Sequence, residues 1–233
     1  MKLNIISVAQ HQTSYGMTGI SIVNSLCDLG HEVSLFPIGQ VSLDQGCPWT
    51  HKNIVDSINR GKYSYDTESP CIRLYHQFSQ QEFVGHGPHI AFPIFELDKF
   101  TRSEKYQLKN VDAVITCSEW GKSIVESETK RQAIPGVANQ HAHLWPDEIS
   151  TPCYVVPLGY DPKIFSKKPI TGHTTNFLLN GKIEIRKCTK EILDAFNSAF
   201  TPEDDVRLYL CWGNIFLTEK ETSEWVRYAQ SLT

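Results

Sequence analysis

No stretch of this chain approaches the roughly 20 consecutive apolar residues needed to span a bilayer. Its first residues, Met1-Lys2-Leu3-Asn4-Ile5-Ile6, run straight into a strand pattern without the cleavage signature of a signal peptide. A soluble, cytoplasmic protein without stable membrane insertion is the expectation. Excess positive charge is missing too. Lys and Arg number 22 against 26 Asp and Glu, a net charge of −4, with an isoelectric point of about 6.1. No global field therefore draws the chain onto nucleic acid or an anionic membrane. The seven cysteines (27, 47, 71, 117, 153, 188 and 211) are far apart and form no C-x-x-C pair, so reduced, structural thiols are expected. Among nine histidines only His86/His89 and His141/His143 lie close together. No Cys or carboxylate cluster completes a four-ligand set, and no metal site is expected. The dinucleotide fingerprint is absent as well. Gly16 and Gly19 do not make G-x-G-x-x-G, and Phe36-Pro37-Ile38-Gly39 stands where an acidic ribose partner would follow the second strand. A nicotinamide oxidoreductase is disfavoured.

Forty per cent apolar and 11% aromatic residues over 233 positions suffice for ordinary cores, and the length suits one or two domains. Strand and helix patterns alternate along the chain, which predicts a parallel α/β sheet with helices on both faces. Leu3–Val8, Glu32–Phe36, Cys71–Tyr75, His89–Phe95, Ala113–Cys117 and Tyr154–Val156 read as strands. Thr18 reads as the cap of a helix carrying Ile20, Ile22, Val23, Leu26 and Leu29 inward, with Gly30 as its stop. Helices are also predicted over Trp49–Arg60 (Ile54, Val55 and Ile58 inward), Arg102–Asn110 and from the Ser118 cap to about Glu128. Arg131 to Ser150 reads as a surface insertion. The resulting division is an N-terminal Rossmann-like domain over 1–165, a polar linker over 166–175 and a second α/β unit over 176–233. That second unit comprises strand Asn176–Leu179, helix Thr189–Phe200, strand Val206–Cys211 and helix Thr218–Leu232. Ile192, Leu193, Phe196, Ala199 and Phe200 form the apolar stripe of its first helix.

The segment Gly181 to Phe196 carries the chemistry. An apolar strand ends in a glycine turn bearing Lys182, Arg186 and Lys187, and a helix opens at Thr189. Free backbone N–H groups and the positive end of a helix dipole then face one spot, with ammonium groups adding full charge: an anion cradle suited to a diphosphate. Gly16 and Gly19, placed on the first strand-to-helix loop, serve either a tight turn or close backbone approach to a ligand. Glu96 stands at the carboxyl end of a strand, where open α/β sheets bind ligands. It is either a ligand contact or a plain capping or surface glutamate. His76 and His89 are candidates to line the same cleft, Ser118 to cap its helix and Asp161 to shape a turn.

Four ordered stretches resemble the GT-B glycosyltransferases of the large retaining family 4. Tyr15-Gly16-Met17-Thr18-Gly19 with Leu29-Gly30-His31-Glu32-Val33 is similar to the family's first loop and second strand. Phe95-Glu96-Leu97-Asp98, followed by Val111-Asp112-Ala113-Val114 and Cys117-Ser118-Glu119-Trp120, resembles "F-E-T-D" and "A-D-x-V…x-S-E-F". Val155 to Phe165 is similar to "V-V-P-x-G-V-D-x-x-x-F". Gly181–Phe196 is similar to "G-R-x-x-x-x-K-G…L-x-x-A-F".

The resemblance implies a GT-B-like fold: an acceptor-side N-terminal domain and the start of a second Rossmann-like domain that binds a nucleotide sugar. It implies retaining, metal-independent glycosyl transfer from a nucleoside-diphosphate sugar, with no further cofactor, to a glycan, lipid, protein or modified-base hydroxyl. By motif position Lys182 takes the family's phosphate-binding arginine, which sacrifices the bidentate fork, and Lys187 takes its phosphate-binding lysine. Cys188 replaces a glycine. Gly16 and Gly19 approach the donor, Arg186 supports, and Glu96 is the candidate catalytic residue. The family's paired-glutamate segment has no counterpart before Thr233. The expectation is a piece of a longer enzyme or a truncated, non-catalytic acceptor- or partner-binding half.

Overall fold

The computed structural model describes residues 1–46, 51–128, 151–162, 165–167, 169 and 172–232. The expected insertion at 131–150 lies outside them. The chain divides into two compact units, Met1–Tyr160 and Asp161–Thr233. Among the described residues no helix is long and apolar enough to cross a membrane.

The first unit runs β1 (Lys2–Ser7), α1 (Ser14–Asp28), β2 (Glu32–Pro37), α2 (Ile54–Tyr63), β3 (Cys71–His76), β4 (His89–Ile94), α3 (Arg102–Lys109), β5 (Ala113–Thr116), α4 (Glu119–Ser127) and β6 (Cys153–Val155). The strands form one sheet in the order β2-β1-β3-β4-β5-β6, every pair parallel. It is the Rossmann-like α/β arrangement that the alternating pattern predicts. Strands covered by helices bury both faces and read as continuous apolar runs; β1 is buried at five consecutive positions. One core joins Ile5 and Leu35 of the sheet to Ile20 and Val23 of α1 and Ile54 of α2. A second gathers Ala91, Val114, Leu108 and Val125 around β4, β5, α3 and α4. Each fully buried aliphatic side chain contributes about 1.5–3 kcal/mol.

Helix α1 corrects the expected start. Its cap is Thr13, whose hydroxyl accepts the Gly16 amide at 3.1 Å. Thr18 lies inside the helix and donates to the Ser14 carbonyl at 2.8 Å. Gly16 and Gly19 therefore belong to the first helical turns rather than to a loop. A Cβ at 16 would stand 2.0 Å from the Gln10 carbonyl oxygen, and one at 19 would stand 2.2 Å from Ser7 Oγ. Packing of the helix onto the end of β1, not turn geometry, accounts for both glycines. At its far end α1 stops as predicted. Gly30 is left-handed at φ +83°; its amide donates to Cys27 and that of His31 to Leu26, at 2.9 and 3.0 Å. These are the two bonds of a Schellman motif. Leu29, expected inward, is the exposed C-cap.

Helix α2 begins at Ile54, five residues after the expected start; of the expected first turn, positions 49 and 50 lie outside the described residues and 51–53 form a turn. It buries Ile54, Ser57 and Gly61. This small-residue stripe lets the helix lie close to β2, since a Cβ on Gly61 would stand 2.5 Å from the Leu35 carbonyl. Val55 falls off the stripe and is exposed.

The second unit runs β7 (Thr175–Lys182), a 3₁₀ turn (Ile185–Lys187), α5 (Thr189–Ala199), β8 (Val206–Gly213) and α6 (Glu219–Gln230). β7 and β8 pair in parallel over eight residues. Phe196 of α5 and its C-cap residue Phe200 pack on Phe177 of β7, each with ring centroids 5.5 Å apart. Among the described residues of this unit only Ile183, Thr189 and Leu193 are buried. The predicted stripe of α5 is thus mostly open: Ile192, Phe196 and Phe200 border an apolar groove of about 380 Å³ with Phe177 and Leu178.

Candidate functional site

In a sheet ordered β2-β1-β3, the chain leaves β1 in one direction and returns to β3 in the other. The carboxyl ends of β1 and β3 therefore flank the topological switch point, where open α/β sheets leave a crevice for ligands. Two side chains meet there. Tyr15, in the first turn of α1, brings its hydroxyl 2.9 Å from His76 Nδ1 at the end of β3. The same hydroxyl donates to the Ile94 carbonyl at the end of β4, at 3.2 Å. Burial, then the neighbouring Tyr75 and the negative charge of Glu96, push the Tyr15 phenol up to about 12, so it keeps its proton. Burial holds the His76 imidazole below its ordinary value, so it is neutral.

Aromatic rings enclose this pair. Phe78 stacks on His76 with centroids 4.9 Å apart and planes at 11°. Tyr75 meets the imidazole edge-on at 4.9 Å and Tyr15 tilts against it at 4.6 Å. Phe78 itself is 54% exposed, which leaves one ring open to a ligand.

The segment after β3 carries no helix, yet it is anchored at many points. Gln80, fully buried, donates from its side chain to the carbonyls of Tyr75 and His76 at 3.1 and 3.0 Å. Gln107 of α3 accepts the amides of Gln80 and Gln81, both at 2.9 Å. Gln77 donates to Glu104 at 2.8 Å. Buried Arg73 of β3 donates to the Ser79 carbonyl at 2.5 Å and pairs with Glu82 at 2.8 Å. Burial alone would raise the Glu104 carboxyl; bonds from Thr101 and Gln77 outweigh it and hold the group below its usual range. A loop held this way presents His76 and Phe78 rigidly.

Of the residues singled out by sequence, His76 and Glu96 come to this place: His76 closes β3 against Tyr15, and Glu96 follows β4, is exposed, and sits near enough to Tyr15 to raise its phenol. Gly16 and Gly19 lie beside it, but the space left by their missing side chains is filled by the chain's own Gln10, Ser7 and Val8. His89 does not join them. It begins β4, in register with Cys71 at the start of β3, whereas His76 is in register with Ile94. The two histidines occupy opposite ends of the sheet, because one opens a strand and the other closes one. Tyr15 as a site residue, and the glutamines that hold the segment after His76, escaped the sequence reading. The signal was the polar run His76-Gln77-Phe78-Ser79-Gln80-Gln81 straight after a strand.

The cationic turn of the second unit is a separate locus. Gly181 has φ +148°, and Lys182 and Arg186 both reach the Glu184 carboxylate, at 3.5 and 3.0 Å. Lys182 Nζ also lies 5.4 Å from the centre of the exposed Phe216 ring. Among the described residues Lys187 has no ion pair. Helix α5 does open at Thr189, but its cap residue Cys188 is left-handed at φ +52° and makes no side-chain capping bond. Arg186 and Lys182 thus converge, on an internal carboxylate. Six cysteines among the described residues, Cys27, Cys71, Cys117, Cys153, Cys188 and Cys211, are unpaired. No protein-family model matches this sequence, and no curated protein matches it.

Proposed function

We propose that this chain belongs to a GT-B-type, retaining glycosyltransferase that moves a sugar from a nucleoside-diphosphate sugar to an acceptor hydroxyl without a metal. The observation that carries the reading is the β7–α5 junction. Three cations, Lys182 at the last position of β7 and Arg186 and Lys187 in the 3₁₀ turn, precede a helix N-terminus, beside the carboxylates Glu184 and Glu191. Preorganised cations and amide dipoles of this kind stabilise a departing diphosphate. Glu184 already holds two of the cations together as an anion would. In the first unit, the switch-point crevice with Tyr15, His76 and Glu96 supplies polar groups suited to an acceptor hydroxyl.

The test is turnover of isotope-labelled nucleotide sugars across a donor panel. Neither transfer nor donor hydrolysis, by this chain or a version extended beyond Thr233, would end the reading. In calorimetry with UDP or GDP, Lys187→Ala is expected to weaken binding by about 1.5–3 kcal/mol, the worth of a charge-assisted contact. Glu184→Gln is expected to tighten it, since it releases Lys182 and Arg186. Unchanged affinity in both variants removes the cradle.

A second reading, a non-catalytic acceptor- or partner-binding half, is favoured by the open apolar groove along β7 and α5. Nucleotide-sugar turnover by the 233-residue chain alone would exclude it.

A further inference from the structure

We infer that Tyr15 presets His76 as the Nδ1–H tautomer, so that the bare Nε2 accepts a hydrogen bond from a hydroxyl of a pyranose ligand at the β1/β3 switch point. Only the kind of ligand rests on the glycosyl-transfer reading. The tautomer follows from proton counting. Tyr15 Oη lies 2.9 Å from His76 Nδ1 and 3.2 Å from the Ile94 carbonyl oxygen, and a phenol has one proton. A carbonyl oxygen only accepts, so that proton goes to Ile94. The contact with Nδ1 is then a hydrogen bond only if the imidazole donates it. The opposite tautomer would set two acceptors against one proton and leave one of them unsatisfied. Which nitrogen of a histidine is bare is commonly settled by the bond its other nitrogen makes.

Nε2 is consequently a lone-pair acceptor. Among the described residues it has no hydrogen-bond partner, and it is not sealed from solvent. The ring has little freedom to turn over. Tyr15 faces it from α1, Tyr75 from β3 and Phe78 from the loop that follows, while Gln80 holds the His76 carbonyl. Among the described residues, Glu96 and Tyr75 act on the Tyr15 hydroxyl, and burial alone acts on His76. The exposed Phe78 ring offers an apolar face beside the acceptor nitrogen, and a pyranose presents both a C–H face and hydroxyl donors. Tyr15 is a positioning residue in this scheme, and His76 is the group that meets the ligand.

The test is long-range ¹H–¹⁵N correlation of the histidine rings in the full chain at neutral pH, with His76 assigned by loss of its signals in His76→Gln. The expected spectrum shows His76 protonated at Nδ1. Tyr15→Phe keeps the packed ring and removes only the hydroxyl, and it is expected to shift His76 towards the Nε2–H form. Titration with methyl α-D-glucopyranoside is expected to move the Nε2 resonance in the parent, and to move it less in Tyr15→Phe and in Phe78→Ala. An Nε2–H parent spectrum overturns the inference. An unchanged tautomer in Tyr15→Phe removes the positioning role. No response to the glycoside up to its solubility removes the hydroxyl subsite. None of these readouts uses a nucleotide sugar, so failure of glycosyl transfer would register separately, in the labelled-donor assay.

Discussion

Gly19 shows how a single missing methyl group sets the position of a helix. In a helix interior, replacing glycine by alanine ordinarily gains about 1 kcal/mol. Here the added Cβ would lie 2.2 Å from Ser7 Oγ and 2.5 Å from the Val8 carbonyl, distances that force α1 off the sheet. Overpacking at about 1–3 kcal/mol outweighs the propensity gain. Gly19→Ala is therefore expected to lower stability, as read from the denaturant midpoint, and to disturb Tyr15 one turn earlier. Cys188 poses the reverse case. It is the one non-glycine residue with positive φ among those described, at a cost of about 1–2 kcal/mol. Glycine relieves that cost but returns about 0.4–1 kcal/mol as unfolded-chain entropy. Cys188→Gly is expected to stabilise the start of α5 by up to about 1 kcal/mol. Amide exchange in α5 slowed by up to about fivefold is the check.

Among the elements, the crossover between β3 and β4 is the most unusual. Parallel neighbours need a returning connection, commonly a helix; here a coil of polar residues makes it, and its backbone needs partners. Gln107 supplies two of them by accepting the amides of Gln80 and Gln81. Gln107→Ala leaves both donors without that acceptor, at a cost of about 1–3 kcal/mol. The expected result is faster hydrogen exchange at Gln80 and Gln81 with β1 unaffected. Equal exchange in both proteins would show that the loop is held from elsewhere. The pair β7–β8 stands at the other extreme. A two-stranded sheet is marginal without a packed face, and the few buried residues of this unit predict weaker amide protection in β7 than in β1.

For the molecule as a whole, acid acts through histidine before carboxylate. Burial holds His89 below its ordinary value; Asp112 pulls it back up and Arg73 pushes it further down. Both its ring nitrogens are buried without a hydrogen-bond partner among the described residues. His76 is lowered by burial as well. A base depressed in the folded state binds its proton more readily when unfolded. Stability is therefore complete above the unfolded value, about pH 6.5, and is lost as pH falls through the lower folded values. A second loss comes further down, below about pH 4.5, where Glu104 and Glu128, both held below their usual range, take up protons. Thermal unfolding between neutral pH and pH 5 is expected to show the first step, and His89→Leu to flatten it. If the slope survives that change undiminished, His89 is not its source.

Element identity was legible along the whole described chain because the apolar period changes visibly between Leu3–Val8 and the helix after it, and because Gly30, Ser118 and Thr218 mark ends by local hydrogen bonding alone. The start of α1 was not legible. Tyr15-Gly16-Met17-Thr18-Gly19 has the composition of a loop, and only contact with Gln10 and Ser7 shows why glycines belong inside a helix. Likewise Lys182, Arg186 and Lys187 announced a cationic turn, while the engagement of two of them by Glu184 depends on side-chain reach. In the crevice, His76 and Glu96 stood out at strand ends, but their meeting with Tyr15 lay furthest from view. Tyr15, His76, Ile94 and Glu96 are spread over some eighty positions and become neighbours through strand order, β1 beside β3 beside β4. Short-range pattern dictated which segments are strands, helices and turns, because propensity and capping act over a few residues. Which side chains share a proton was left to the sheet, because pairing between distant strands obeys the burial of both faces rather than anything local to either.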